Sequence, residues 1–223
     1  MLTRQDRTIA DCLDVLDFIL PLKLKHIGFK DIGVDKRTLG ILTERIRKSG
    51  AMSYMEVVST TPEDCLNSAR NAVELEVDRL LGGTDVDAVQ SILGSSKIAY
   101  FPFAGFPTGH PTQLGGRPDQ IEAHCRRFVE KGCAGTDLLA YRATSADPIE
   151  LVKAARRGLG KNYLIVAGSV ATAEQIAAIK SGGADAFTIG SAVFDGSYAR
   201  DKGSIQSQLA AIAADCAAAL DVA

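Results

Sequence analysis

Amphipathic segments and short apolar runs alternate along this chain with a period of roughly 25 residues, the spacing of repeated βα units. The amphipathic segments cover residues 8–20, 36–49, 62–76, 86–93, 118–131, 148–158, 172–181 and 204–220. Each has apolar residues at helical spacing, as in Ile149, Val152 and Ala155. Thr61-Pro62-Glu63, Asp147-Pro148 and Thr172-Ala173-Glu174 put a capping oxygen just before a first helical turn. Gly50, Gly94, Gly132, Gly158 and Gly182 stand where helices are expected to stop.

Between the helices lie apolar runs at 25–29, 51–58, 77–81, 97–101, 133–139, 163–167 and 186–189. They are continuous rather than alternating, as expected of parallel strands covered on both faces. An eighth strand has to precede the first helix, where only Met1, Leu2 and Thr3 are available. The expectation is an α/β protein, a (β/α)8 TIM barrel with a short or truncated first strand, forming one domain over residues 1–223. A doubly wound open sheet is the alternative. It would show a glycine-rich dinucleotide turn after its first strand, and no GxGxxG stands there.

Composition narrows the setting. A formal net charge of -2 gives no field suited to nucleic acid or anionic lipid. No apolar run reaches the ~20 residues of a membrane span. The apolar stretch 12–24 contains Asp14, Asp17 and Lys23 and lacks a small-residue cleavage site, so it does not read as a signal peptide. The cysteines, Cys12, Cys65, Cys125, Cys133 and Cys216, are odd in number and scattered, which argues against a disulfide framework or zinc ribbon. A cytoplasmic protein with reduced thiols is expected.

Two stretches near the end share one form: an apolar strand, a glycine with a small polar neighbour, then a helix start. They are Tyr163 to Val170, with Gly168-Ser169, and Ala184 to Ala192, with Gly190-Ser191. A glycine lets the main chain approach an anion, and the exposed N–H groups of the turn donate to it. In barrels a phosphate often sits at the loops after the seventh and eighth strands, where these turns fall. Together with Thr172-Ala-Glu-Gln-Ile and Gly182-Gly-Ala-Asp185, the segment from Tyr163 to Val193 resembles the ribulose-phosphate-binding barrel superfamily. The resemblance covers about the last third of the chain. It implies phosphate contacts from Gly168, Ser169, Gly190 and Ser191. The DxKxxD constellation of the superfamily's decarboxylases is absent.

Catalytic groups of a barrel gather at the C-terminal ends of its strands. Lys30, Glu56 and Asp137 stand at such ends. Desolvation at the end of an apolar strand favours a neutral amine, which can form a Schiff base, whereas a neighbouring carboxylate favours the ammonium. Strand alternation sends Lys30 and Asp31 to opposite sides, and Lys30 is the one expected in the mouth. Glu56 and Asp137 are then its acid–base partners. The long segment 101–117 is expected to be irregular, with aromatics that could cover an apolar part of a ligand and glycines that could allow movement, and it includes His110, a candidate proton shuttle; His124 reads as structural.

The expected function is an enzyme, a lyase of aldolase type or an isomerase of carbohydrate metabolism, acting on a sugar or keto-acid phosphate. It would work without a cofactor through a Schiff base or enolate. A metal-dependent epimerase or decarboxylase using Mg²⁺ on Asp31, Glu56 and Asp137 is one alternative. A non-catalytic barrel that binds a phosphorylated ligand is another. The small phosphorylated metabolite is the expected partner, with a homodimer through the alanine-rich last helix as a further expectation. Gly168 and Gly190 should then be neighbours around one anion.

Overall fold

A computed structural model of the chain describes residues 1–221, and the last two, in which the alanine-rich run ends, lie outside the described residues. It falls into two compact units, one of Met1–Phe103 with Thr108–Thr112, the other of Ala104–Pro107 with Gln113–Ala223.

The first unit opens with a hairpin, β1 (Thr3–Arg4) and β2 (Arg7–Thr8), paired antiparallel. Its two-residue turn puts Gln5 at φ 49° and Asp6 at φ 56°, the left-handed pair that a tight right-twisted hairpin requires. Then follow α1 (Cys12–Ile19), β3 (His26–Lys30), α2 (Lys36–Lys48), β4 (Met52–Val57), α3 (Pro62–Glu74), β5 (Arg79–Gly82), α4 (Val86–Leu93) and β6 (Ala99–Phe101). The strands form one parallel sheet in the order β3-β4-β5-β6.

Register sorts the residues of this sheet onto its two faces. Gly28, Tyr54, Arg79 and Ala99 make one row, and Lys30, Glu56, Leu81 and Phe101 the next row on the same face. Asp31, one residue past Lys30, reaches Ser68 on α3, so Lys30 and its row point away from the helices. The helix-side face carries Phe29, Met55 and Leu80 beneath the stripes of α2 (Leu39, Leu42, Ile46) and α3 (Ala69, Ala72). Each such aliphatic or aromatic side chain contributes roughly 1.5–3 kcal/mol on burial.

The expected helix from residue 8 begins at Cys12 instead. Thr8 is held elsewhere: its hydroxyl accepts from the Lys30 N–H at 2.9 Å and donates to the Lys30 carbonyl at 2.8 Å. Its own N–H donates to the Ile32 carbonyl, and the Leu2 N–H to the Gly28 carbonyl. These bonds occupy the edge of β3 where the expected short first strand would pair. Gly33, at φ +115°, is a glycine because Thr8 main-chain atoms lie where its Cβ would be.

After β6 the chain forms two short strands, β7 (Phe106–Thr108) and β8 (Gln113–Gly115). The second unit carries α5 (Pro118–Glu130), β9 (Gly135–Leu138), a 3₁₀ turn at Ala140–Arg142, α6 (Pro148–Leu159), β10 (Tyr163–Val166), α7 (Ala173–Ser181), β11 (Ala186–Phe187), α8 (Ser191–Phe194) and α9 (Ile205–Asp221). Its parallel sheet has the order β11-β10-β9. The anticipated caps form: Asp147 accepts from the Ile149 and Glu150 N–H groups, and Thr172 makes a capping box with Gln175. Thr61 likewise caps α3 in the first unit.

Gly158 does not stop its helix. It lies inside α6, where a Cβ would strike the Glu122 carbonyl and approach Cys125 Cβ to 2.7 Å on α5. Gly160, at φ 60°, ends the helix instead. All seven apolar runs overlap a strand; β3 is as long as its run and shifted by one residue, and the other six strands are shorter than theirs.

Candidate functional site

Lys30 and Glu56 are opposite one another in the register of β3 and β4, at the C-terminal ends of both strands. Their side chains are 5% and 1% exposed as residues, and Lys30 Nζ is ion-paired with Glu56 Oε1. Asp6 approaches from the hairpin turn, with Oδ1 at 3.6 Å from the same Nζ. Glu56 Oε2 is buried and has no hydrogen-bond partner among the described residues. The Met1 amino group is buried nearby; desolvation, then the Lys30 charge, lowers it to about 6. In the row beneath, the Arg79 guanidinium lies over the Tyr54 and Phe101 rings at 5.2 and 5.4 Å.

Taking an ammonium and a carboxylate out of water costs several kcal/mol per ion, and an apolar pair of similar volume is often as stable. Stability alone therefore does not account for this pair. A buried amine flanked by two carboxylates at strand ends can move a proton, stabilise an oxyanion, or add to a carbonyl once its proton has passed to a carboxylate.

Asp31 turns out to be structural. Its carboxylate accepts from the Val58 N–H at 2.9 Å, the Ser59 hydroxyl at 2.6 Å and the Ser68 hydroxyl at 2.7 Å. It points to the helix side of the sheet and Glu56 to the other, so the expected Asp31, Glu56 and Asp137 metal set is not brought together. Among the described residues no group of three or more His, Cys, Asp or Glu is placed to hold a metal ion.

In the second unit, β10 and β11 pair Val166 with Phe187, and the Thr188 N–H continues the ladder to the Val166 carbonyl at 2.9 Å. Gly168-Ser169 and Gly190-Ser191 leave the same ends of these paired strands, so the two turns are neighbours. Gly168 and Ser169 are both left-handed, at φ 75° and 61°. The Gly168, Ser169 and Val170 N–H groups donate to no group among the described residues, whereas those of Ala171 and Thr172 are taken by Gln175 Oε1. Successive unengaged amides in a left-handed turn form a nest for an anion.

Arg142, at the end of the 3₁₀ turn after β9, lies across this turn. A Cβ on residue 168 would be 2.5 Å from its Nε and 2.8 Å from its Cδ. Nothing in the local sequence signals that the Arg142 side chain folds back over Gly168. Gly190 precedes α8, and Ser191, its first residue, is exposed. Behind them, buried Gln208 holds the following loop, accepting from the Ala199 N–H at 2.9 Å and donating to the Ala199 and Lys202 carbonyls at 2.7 Å.

Asp137 is fully buried on β9, in register with Ile165 of β10. Its neighbour Thr136 meets the Cys125 thiol on α5, so Asp137 points to the opposite face of the sheet. His110 is exposed in the segment Thr108–Thr112, and no catalytic partner is placed against it by the contacts of that segment. His124 is structural, as expected: its Nδ1 accepts from the Gly105 N–H at 3.1 Å.

No family model matches the chain, and no curated protein matches it. Solved structures do. An orotidine 5'-phosphate decarboxylase from Pyrococcus horikoshii OT3 is 13% identical, covering 92% of each chain, with a TM-score of 0.62. The Amycolatopsis orientalis BexX/CysO complex contains a chain 18% identical over 93% of this chain and 84% of that one, with a TM-score of 0.62. A Coccidioides immitis protein described as a deoxyribose-phosphate aldolase is 11% identical over 83% and 77%, with a TM-score of 0.64. At these identities the likeness is one of fold. The chain has the (β/α)8 fold. No helix among the described residues is long and apolar enough to cross a membrane.

Proposed function

We propose that the chain is an enzyme acting on a small phosphorylated metabolite, a sugar or keto-acid phosphate, by aldolase-type lyase or isomerase chemistry. The observation that carries this reading is the buried Lys30–Glu56 pair, in register at the ends of parallel strands. In this reading Glu56 accepts a proton from the Lys30 ammonium. The freed amine adds to a substrate carbonyl, and loss of water gives an iminium that acidifies the adjacent carbon. If the proton stays, the ammonium instead stabilises an enolate oxygen electrostatically. Asp137 is the second proton carrier. Gly168, Ser169, Gly190 and Ser191 hold a phosphate, with Arg142 supplying positive charge beside Gly168. Two structural neighbours, an orotidine 5'-phosphate decarboxylase and a protein described as a deoxyribose-phosphate aldolase, support a phosphorylated substrate. The free thiols suit a cytoplasmic setting.

Borohydride trapping with glyceraldehyde 3-phosphate tests the chemistry, alongside deuterium exchange at the substrate's α-carbon followed by NMR. A reduced adduct on the Lys30 peptide marks the Schiff base. Exchange without an adduct marks the enolate, and Lys30→Met abolishes either. Inorganic phosphate titrated by calorimetry should bind at least ~10-fold more weakly to Gly168→Ala, whose Cβ displaces Arg142. Neither adduct nor exchange would overturn the enzymatic reading, and retained phosphate binding would then favour a binding barrel.

A further inference from the structure

Asp6 occupies a position that the proposed chemistry does not explain. It sits in the tight turn of the β1–β2 hairpin, at a left-handed φ of 56° that aspartate and asparagine tolerate better than other side chains. Yet it is only 4% exposed, and its two carboxylate oxygens reach groups far apart in the sequence. Oδ1 lies 3.6 Å from Lys30 Nζ, and Oδ2 accepts from the Thr112 N–H at 3.0 Å. Thr112 is itself buried, although His110, Pro111 and Gln113 around it are exposed. The segment Thr108–Thr112 is therefore anchored at Thr112, and the anchor is the carboxylate that flanks the amine.

The hairpin exists to deliver that carboxylate. A conventional first strand running beside β3 would carry its residues past Lys30 along the ladder. Here Thr8 satisfies the Lys30 main chain with one hydroxyl, and the turn is free to fold Asp6 over the side chain. Two carboxylates on different elements, Glu56 on β4 and Asp6 on the turn, fix the ammonium in place more tightly than either alone. Conversely, a buried carboxylate needs a positive partner, and Lys30 provides it.

We propose that Asp6 is a positioning residue: it holds the Lys30 ammonium beside Glu56 and ties the segment Thr108–Thr112 to it, so that the anchorage of this segment depends on the charge of Lys30. The role rests on the reading of Lys30 as the reacting amine. A change in the Lys30 charge during turnover is thereby transmitted to the Thr112 amide and to His110, two residues away.

Cyanate tests this without substrate. The neutral amine nitrogen bonds to the carbon of isocyanic acid and a proton moves to its nitrogen, giving a urea with no leaving group. The rate at Lys30, followed by peptide mass spectrometry as a function of pH, reports how readily the amine gives up its proton. The groups facing it are Asp6, Glu56, the Met1 amino group and, one row beneath, Arg79. Asp6→Asn keeps the turn and an acceptor for Thr112 but removes the charge, and should raise Lys30 carbamylation near neutral pH on the order of 10-fold. Hydrogen exchange at the Thr112 amide should accelerate on the order of 10-fold or more in Asp6→Gly and in Lys30→Met, and stay slow in Lys30→Arg.

Unchanged carbamylation in Asp6→Asn overturns the positioning role. Unchanged Thr112 exchange in Lys30→Met, with Lys30→Arg as the folded reference, overturns the coupling. Because cyanate needs neither phosphate nor a substrate carbonyl, a positive result here beside the absence of both adduct and deuterium exchange would discard the proposed reaction and leave the positioning of the Lys30 amine standing.

Discussion

His124 accepts the Gly105 N–H through Nδ1, and a proton on that nitrogen would remove the acceptor. Burial, and secondarily the Arg127 charge, lowers its pKa from the ordinary histidine value. Between the folded value and the unfolded value of about 6.5, the unfolded chain binds the proton more readily. The neutral-imidazole contribution is therefore complete above that window and is lost as pH falls through it. His124→Leu lacks the acceptor at any pH. The difference in Tm between wild type and variant should thus narrow as pH drops from about 7.5 to about 5. A difference constant with pH would contradict this account. Among single residues, the sequence showed the placements that depend on local pattern. Alternation alone separated Lys30 from Asp31, and the Gly-Ser turns could be read from their flanking strands. Asp6 and Arg142 were not visible, because each acts through a side chain laid across a distant segment.

At the scale of elements, α5 and α6 meet at Gly158, where the backbone of one helix approaches the Glu122 carbonyl of the other. Gly158→Val would push the helices apart and overpack their contact. It should cost about 1–3 kcal/mol, read as a lower Tm and a lower denaturant midpoint. Gly160→Ala is the informative comparison. It has nothing within 4 Å of its Cβ, and its φ of 60° alone should cost about 1 kcal/mol. Equal losses from the two would remove the packing argument. The same pair shows what sequence conveys about helix ends. Thr61, Asp147 and Thr172 were recognisable as caps because capping is settled within three residues. A glycine inside a helix and one just past its end look alike until the neighbouring helix is known. The first strand was anticipated as short, but its replacement by a hairpin depends on Thr8 bonding to residue 30.

Across the whole molecule, every cysteine is a free thiol, but the five differ in their surroundings. Cys12, Cys125 and Cys133 are buried, and burial raises Cys125 to about 12. Cys65 and Cys216 are partly exposed, with their thiols raised by burial and then by neighbouring aspartates. A disulfide reagent applied to the native protein should modify Cys65 and Cys216 first, slowly at neutral pH and faster as pH rises. The buried three should react only at the rate of unfolding, and rapid modification of all five would show that the cores open far more often than such packing allows. The α/β class and the placement of the strands were legible at this scale because the period of about 25 residues is a property of the entire chain. The outcome at the β3 margin has a further meaning. An exposed row of peptide groups invites another polypeptide to add itself as an extra strand. Thr8 and Leu2 close that row by bonding to Gly28, Lys30 and Ile32. Protection against intermolecular strand addition and delivery of an acid to the amine thus come from one short hairpin.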